Sequence, residues 1–109
     1  MSTVHQYDFL SSLGSLMPKM DGQQVANTIW SMGKIGVSWE TLSQHVRVEI
    51  SRAIARTACT EMTPQGISNT IHGLSNCRAR WSMLPNKLTS ALTRGLDRTL
   101  TTMKEQVRA

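Results

Sequence analysis

Basic side chains recur at one fixed spacing in this chain, and contact with phosphate is the chemistry that such a pattern predicts. The recurring pairs, all at an offset of 42 in sequence number, are Arg52 and Arg94, Arg56 and Arg98, and His45 and Lys87. Positions 45, 52 and 56 of one predicted helix point in directions within about 40° of one another around the helix axis, and so do positions 87, 94 and 98 of the other. Stacked copies would align them in a basic ridge suited to a phosphate backbone, with Lys34 as a further candidate. The alternative is a solvated face whose arginine stems cover apolar surface and pair locally with Glu49 and Asp97.

Positions that differ between the two copies are the candidates for reading RNA bases. Asn27 and Asn69 are identical in the two copies, so they discriminate nothing, and a structural role is favoured for them. The candidate reading pairs are Gln24 and Gly66, Ser31 and Gly73, and Lys34 and Asn76. Helical-repeat readers use two or three such side chains per base, so two units would contact only about two nucleotides. Tryptophans at 30, 39 and 81 have the chemistry to stack on bases, although packing between helices is the favoured role.

Catalytic chemistry finds no support in the residue pattern. His5, His45 and His72 lie in different predicted elements. The chain has no nucleophile elbow, no phosphate-binding glycine loop, no cluster with metal-ligand spacing and no paired carboxylates. We therefore expect a protein that is not an enzyme and that uses no cofactor, metal or small-molecule substrate.

The recurrence extends beyond the basic residues to the elements that carry them. Residues 25–30, Val-Ala-Asn-Thr-Ile-Trp, return as residues 67–72, Ile-Ser-Asn-Thr-Ile-His, at the same offset of 42. We call two residues related by this offset counterparts. A period of this length is typical of stacked helical hairpins. The sequence therefore predicts an all-α fold, a right-handed α-solenoid of helix–turn–helix repeats with about five helices.

Hydrophobic periodicity and capping residues place these helices. They are predicted at residues 7–17, 22–34, 39–59, 64–76 and 82–102. The expected N-terminal caps are Asp21, Ser38 and Thr63, the last followed by Pro64. The expected buried residues include Phe9, Leu10, Leu13, Leu16, Met17, Val25, Ala26, Ile29, Met32, Leu42, Val46, Ile50, Ala53, Ile54, Ile67, Ile71, Leu74, Leu84, Leu88, Leu92, Leu96 and Leu100.

One domain is predicted for the whole chain, residues 1–109. Residues 1–19 would form the second helix of a partial repeat, residues 20–61 the first repeat and residues 62–102 the second. Residues 103–109 would begin a further repeat, because Met103 and the residues after it resemble the start of the second repeat. Neither end has the polar character of a terminal cap, so the chain is expected either to belong to a longer solenoid or to dock in an assembly.

Two segments resemble the octotricopeptide repeat, Gln23–Gly36 and Met62–Ile71. They are similar to the family pattern Pro-Gln-x-Leu-Ala-Asn-Thr-Leu-Trp, and residues 81–92 resemble the linker and second helix of algal and protist members. The resemblance covers about residues 17–107. It implies a paired-helix solenoid related to the heptatricopeptide and FAST-kinase-like repeats. It also implies an RNA-binding factor or ribonucleoprotein component of a mitochondrion or plastid.

Charge and cysteine content agree with an intracellular binding protein. The chain has 12 Lys and Arg against 7 Asp and Glu, a net charge of +5. Such an excess favours a polyanionic partner, and a basic soluble surface is the alternative. Cys59 and Cys77 are expected to be free thiols in a reducing compartment. No apolar run is long enough for a membrane span, and the N-terminus resembles neither a signal peptide nor a transit peptide.

Two functions from different classes therefore remain open. The first is a non-catalytic module that binds single-stranded or ribosomal RNA. The second is a docking adaptor or structural subunit of a protein assembly, with no role in nucleic-acid binding.

Overall fold

The computed structural model describes Leu10 and residues 12–108, with side chains described through Glu105. All regular structure in this part of the chain is helical, so the all-α expectation is confirmed. The four helices used below are α1 (Gly22–Lys34), α2 (Gln44–Thr57), α3 (Pro64–Asn76) and α4 (Asn86–Arg108). Residues 12–16 are helical and lead into a 3₁₀ turn at Met17–Lys19. The predicted start of the first helix, at residue 7, lies outside the described residues.

Helices α1 and α3 begin and end where the sequence predicts, because their caps are local. The Asp21 carboxylate accepts from the Gln24 amide at 2.8 Å, and the Gln24 side chain accepts from the Asp21 amide at 3.0 Å. Thr63 accepts from the Gly66 amide at 3.0 Å. These bonds satisfy amides that a helix leaves without intrahelical partners.

Helices α2 and α4 begin later than predicted, which corrects two boundaries. A 3₁₀ turn occupies Trp39–Thr41, and Ser43 rather than Ser38 caps α2 by accepting from the Val46 amide at 3.2 Å. The matching turn before α4 occupies Trp81–Met83. In both turns the leucine that follows, at position 42 or 84, is extended and buried. Because the backbone is extended at this buried leucine, the long helix starts only after it.

The first helices of the two hairpins pack together, and so do the second helices. Helix α1 lies against α3, and α2 lies against α4. At the α1–α3 contact, a Cβ on Gly73 would lie 2.5 Å from the carbonyl oxygen of Ile29, so only glycine permits this approach. Gly95 in α4 is similarly pressed against the carbonyl oxygen of Ala58. Two glycines therefore set the distance between the first helical hairpin and the second.

The same local contacts occur in both copies of the repeat. Thr28 donates to the carbonyl of Gln24 and lies 3.5 Å from the sulfur of Met20, and Thr70 stands in the same relation to Gly66 and Met62. After each of α1 and α3 comes one residue with positive φ, Gly36 at 83° and Arg78 at 60°. The local backbone of residues 20–42 therefore recurs in residues 62–84.

Four residues that were predicted to be buried are exposed. Ile71 on α3 and Leu96 and Leu100 on α4 face outward, because no described element covers that side of the second hairpin. Leu16, just before the first 3₁₀ turn, is also exposed. Leu10 is partly buried, Phe9 lies outside the described residues, and the other members of the expected core are buried.

A further repeat was expected to start at residue 103, which lies inside α4. Helix α4 continues without interruption to Arg108. After Gly95 the sequence has no glycine or proline that would end the helix.

Candidate nucleic-acid interface

Two of the predicted phosphate-binding arginines are engaged with the backbone. The Arg56 guanidinium donates to the carbonyl oxygens of Met20 at 2.9 Å and Met17 at 3.1 Å. Arg98 donates to the carbonyls of Met62 and Ala58. Each arginine therefore ties the second helix of its hairpin to the segment that precedes the first helix of the same hairpin. This is a structural use of a guanidinium group, distinct from the predicted contact with phosphate.

Arg52 and Arg94 have exposed side chains that point away from the core. Arg52 forms an ion pair of 3.1 Å with Glu49, and 73% of its side chain remains accessible to solvent. An exposed pair of this kind stabilises the fold little, because solvent screens it and ordering two side chains costs entropy. Both guanidinium groups are therefore accessible to an anion, which at Arg52 would compete with Glu49.

Arg52 and Lys87 lie on the same groove. This groove runs between α2 and the turn that leads into α4, and its volume is about 420 Å³. Its walls include a third cation, Arg47, and the apolar surfaces of Val48 and Met83. The full lining is Trp39, Gln44, Arg47, Val48, Ser51, Arg52, Met83, Pro85 and Lys87. We call these nine residues the basic groove.

Lys87 occupies a position that helix stability does not explain. It is the second residue of α4, close to the positive end of the helix dipole. A cation there is unfavourable by about 0.3–1 kcal/mol. Its exposed ammonium group adds to the positive field of the groove instead, beside Arg47 and Arg52.

Arg47 is the residue of the groove that the sequence analysis missed. Its counterpart in the second repeat is Thr89, so it has no place in the repeated basic pattern. Its Nε atom is buried without a hydrogen-bond partner among the described residues. The only sequence signal was its place on α2 five residues before Arg52, which is not a helical neighbour spacing.

A related groove lies beside α4, where most of its lining residues are counterparts of residues in the basic groove. It is lined by Trp81, Thr89, Ser90, Thr93 and Arg94. Four of these are the counterparts of Trp39, Val48, Ser51 and Arg52 in the basic groove, and Thr89 is the counterpart of Arg47. Among the described residues, none lines this second groove as Met83, Pro85 and Lys87 line the first one. Arg52 and Arg94 therefore occupy equivalent positions on equivalent surfaces.

The remaining basic candidates lie elsewhere. The imidazole of His45 packs over Gly14, where a Cβ would lie 2.5 Å from its Nε2. The Lys34 ammonium lies 4.9 Å from the centroid of the Trp30 ring. Neither residue lines the basic groove.

Two of the three candidate base-reading pairs differ between the copies for a packing reason. Gly66, Gly73 and Asn76 lie on the side of α3 that packs against α1. Their counterparts Gln24, Ser31 and Lys34 lie on the opposite, exposed side of α1, because no described helix packs there. The Gln24 side chain is also engaged in capping α1. Burial therefore accounts for glycine at positions 66 and 73, where Gln24 and Ser31 are exposed, whereas Asn76 and Lys34 are both exposed.

The tryptophans have separate environments. Trp39 is buried, whereas Trp30 and Trp81 are exposed. Trp81 also lines a neighbouring groove with Arg78 and Arg80.

Two observations bear on other functions. No group of three or more His, Cys, Asp or Glu side chains in the described part of the chain is arranged to hold a metal ion. None of the described helices combines the length and the apolar composition that a membrane crossing needs.

Comparison with protein-family models, with curated proteins and with solved structures finds no match to this chain.

Proposed function

We propose that this chain is a non-catalytic module of stacked helical hairpins, repeating at the offset of 42, that binds the phosphate backbone of single-stranded or ribosomal RNA. The basic groove is the observation that carries this function. It gathers Arg47, Arg52 and Lys87 on apolar walls, with one partnered carboxylate, Glu49, beside them. Cations placed in this way release counterions when they neutralise phosphates, which is the main driving force of backbone binding.

Three features support a repeat module. Equivalent helices of the two hairpins pack together, the caps and turns recur at the repeat offset, and the two glycines hold the hairpins together. In an array of this kind, equivalent side chains follow one another along one surface. Arg52 and Arg94 are such a pair, so an RNA strand would meet one arginine per hairpin.

The setting we propose is an organellar ribonucleoprotein of a mitochondrion or plastid. It rests on the resemblance of Gln23–Gly36 and Met62–Ile71 to the octotricopeptide repeat. In such a particle a small basic module would contribute backbone contacts, and the RNA sequence would be read elsewhere.

Titration of a labelled single-stranded RNA at several salt concentrations tests the function. Each phosphate contact on a single strand contributes about −0.7 to the slope of log K against log salt, so three groove cations predict about −2. Replacement of Lys87 by Gln should weaken binding and make the slope shallower by about 0.7. Lys104→Gln is the matched control, because it removes the same charge about 25 Å further along α4. A salt-independent affinity, or equal losses in the two variants, would contradict RNA binding at this groove.

The second candidate is a docking adaptor without a role in RNA binding. The exposed apolar residues of the second hairpin favour it. A partner that binds equally well in the Arg52→Gln and Lys87→Gln variants, and after nuclease treatment, would support this alternative.

A further inference from the structure

The basic groove carries more accessible apolar surface than contact with phosphate requires. Val48 on α2 and Met83 in the turn before α4 line it from its two sides, and they are 38% and 45% exposed. Phosphate oxygens gain nothing from aliphatic surface, whereas an apolar ligand face is stabilised when it leaves water. The two exposed side chains therefore point to a ligand that has an apolar face as well as a negative charge.

The repeated fold does not itself require apolar residues at these two positions. The counterparts of Val48 and Met83 are Ser90 and Thr41. Ser90 lies within α4, and Thr41 ends the turn that precedes α2. Both counterparts are exposed, so the same backbone positions accept a short polar side chain. The apolar walls are therefore a property of the basic groove and not of the helical hairpin.

The same groove offers hydrogen-bonding groups beside its charges. The Nε atom of Arg47 is buried and has no partner among the described residues, and a buried donor is costly unless something accepts from it. Gln44, exposed at the start of α2, adds a carboxamide with both a donor and an acceptor. The volume of about 420 Å³ lies within the range of about 300–1,000 Å³ that is usual for sites that hold small organic ligands.

We infer that the basic groove receives one unpaired nucleotide of the RNA strand, with the phosphate among the groove cations and the base between the walls of Val48 and Met83. The inference rests on the proposed function and names the substrate class of that site, which is RNA in single-stranded form. In a duplex the bases are paired and stacked inside the helix, so a duplex offers phosphates and ribose groups without a free base face. An unpaired strand offers both the phosphate and the base.

Competition of three unlabelled ligands against a labelled single-stranded RNA separates contact with the base from contact with phosphate. The ligands are a strand of uridine, a strand of the same length whose sugar–phosphate units carry no base, and an RNA duplex of that length. At one fixed salt concentration, the uridine strand should bind the unmodified chain at least tenfold more tightly than either of the other two. A site for phosphate alone would instead favour the duplex, which has the higher charge density.

The double variant Val48→Ser, Met83→Thr removes the apolar walls and leaves every charge in place, since it introduces the counterpart residues. It should bind the uridine strand about tenfold more weakly, a loss of about 1.4 kcal/mol, with an unchanged salt slope. Its affinity for the strand without bases should not change. Circular dichroism confirms that the variant is folded, and the comparison of the three ligands does not depend on any variant.

Leu96→Ser is the matched control, because it removes a similarly exposed apolar side chain from another surface. Leu96 is 41% exposed, and it points about 180° away from Lys87 around the axis of α4 when residues advance by about 100° each. Its affinity for the uridine strand should equal that of the wild type. Leu96 belongs to a set of exposed apolar residues that we call the apolar side, which are Ile71, Leu96, Leu100 and Met103.

Two results would overturn the inference. One is equal affinity of the unmodified chain for the uridine strand and the strand without bases, or tighter binding of the duplex. The other is equal binding of the uridine strand by the wild type and by the folded double variant. If binding in either case still weakens with salt and with Lys87→Gln, the proposed function stands without the contact to a base. Absence of binding by all three ligands would overturn both.

Discussion

Arg56 and Met20 are joined by a hydrogen bond of 2.9 Å from the guanidinium group to the backbone carbonyl, across 36 residues of sequence. Their counterparts in the second hairpin, Arg98 and Met62, are joined in the same way. The recurrence of these arginines therefore has a structural cause, since each one closes its own helical hairpin. Arg52 and Arg94, from the same repeated pattern, are exposed instead, and the contact described for Arg52 is its ion pair with Glu49.

Loss of the hairpin-closing arginines should lower stability. Arg98→Met keeps the apolar stem but removes the donors to Met62 and Ala58, so we expect a loss of roughly 1.5–3 kcal/mol, the usual range for bonds to charged groups. Arg56→Met should cost less, because Arg56 is more exposed. Arg94→Met is the control and should change stability by less than about 0.5 kcal/mol. Urea denaturation followed by circular dichroism measures all three, and equal effects at positions 94 and 98 would contradict the assignment.

Substitution of alanine for glycine should change the stability of the protein differently at two positions of α3. Gly73→Ala places a Cβ against the backbone of Ile29 and should destabilise the protein by about 1–3 kcal/mol or more. Gly66→Ala makes only ordinary contacts and gains up to about 1 kcal/mol of helix propensity, so it should be neutral or stabilising. Thermal unfolding of the two variants provides the comparison. A tolerated Gly73→Ala would mean that α1 and α3 are further apart than described.

The turn after α3 should be stabilised by glycine. Arg78 has a φ of 60°, a left-handed conformation that costs an L-residue roughly 1 kcal/mol, whereas the matching turn after α1 has Gly36 at 83°. Arg78→Gly should therefore raise the free energy of unfolding by about 0.5–1 kcal/mol. Arg80→Gly, two residues further on, serves as the control and should give no gain. A loss of stability in Arg78→Gly would show that its side chain makes a stabilising contact.

Burial of Cys77 should make stability depend on alkaline pH. Desolvation raises the pKa of the Cys77 thiol above its ordinary value of 9.0. Below this value the thiol is neutral in both the folded and the unfolded states, so its contribution is fully retained. As the pH rises through 9.0, the unfolded state loses the proton first, and stability falls until the folded pKa is passed. Urea unfolding of the wild type and of Cys77→Ala, at about pH 8 and about pH 10, should show a smaller decrease in the variant. Parallel decreases would contradict this expectation.

Local signals were sufficient to predict much of the fold. The starts of α1 and α3 follow from caps at Asp21 and Thr63, whose partners lie three residues away. The starts of α2 and α4 could not be predicted in the same way. Trp39 and Trp81 each open a 3₁₀ turn before the helix, and a buried leucine three residues on sets where the turn ends.

The candidate site was less accessible to sequence reasoning, for two physical reasons. The partners of Arg56 and Arg98 are backbone carbonyls, which leave no residue signature in the sequence. Arg47 joins the basic groove through the packing of α2 against the turn before α4, and no repeated residue marks it. The exposure of Leu100 likewise depends on which elements cover α4, and this cannot be deduced from its helical period.

Nuclear magnetic resonance mapping of the RNA contact tests the central claim most directly. Amide shifts of the ¹⁵N-labelled chain would be followed as a single-stranded RNA is added. We expect the largest changes in residues 44–52 and 83–87 and near Arg94, which surround the basic groove and its counterpart. Residues 96–103 on the apolar side should change little. Changes centred on 96–103 with an unaffected groove, or no changes at RNA concentrations where the titration reports binding, would contradict the proposed interface.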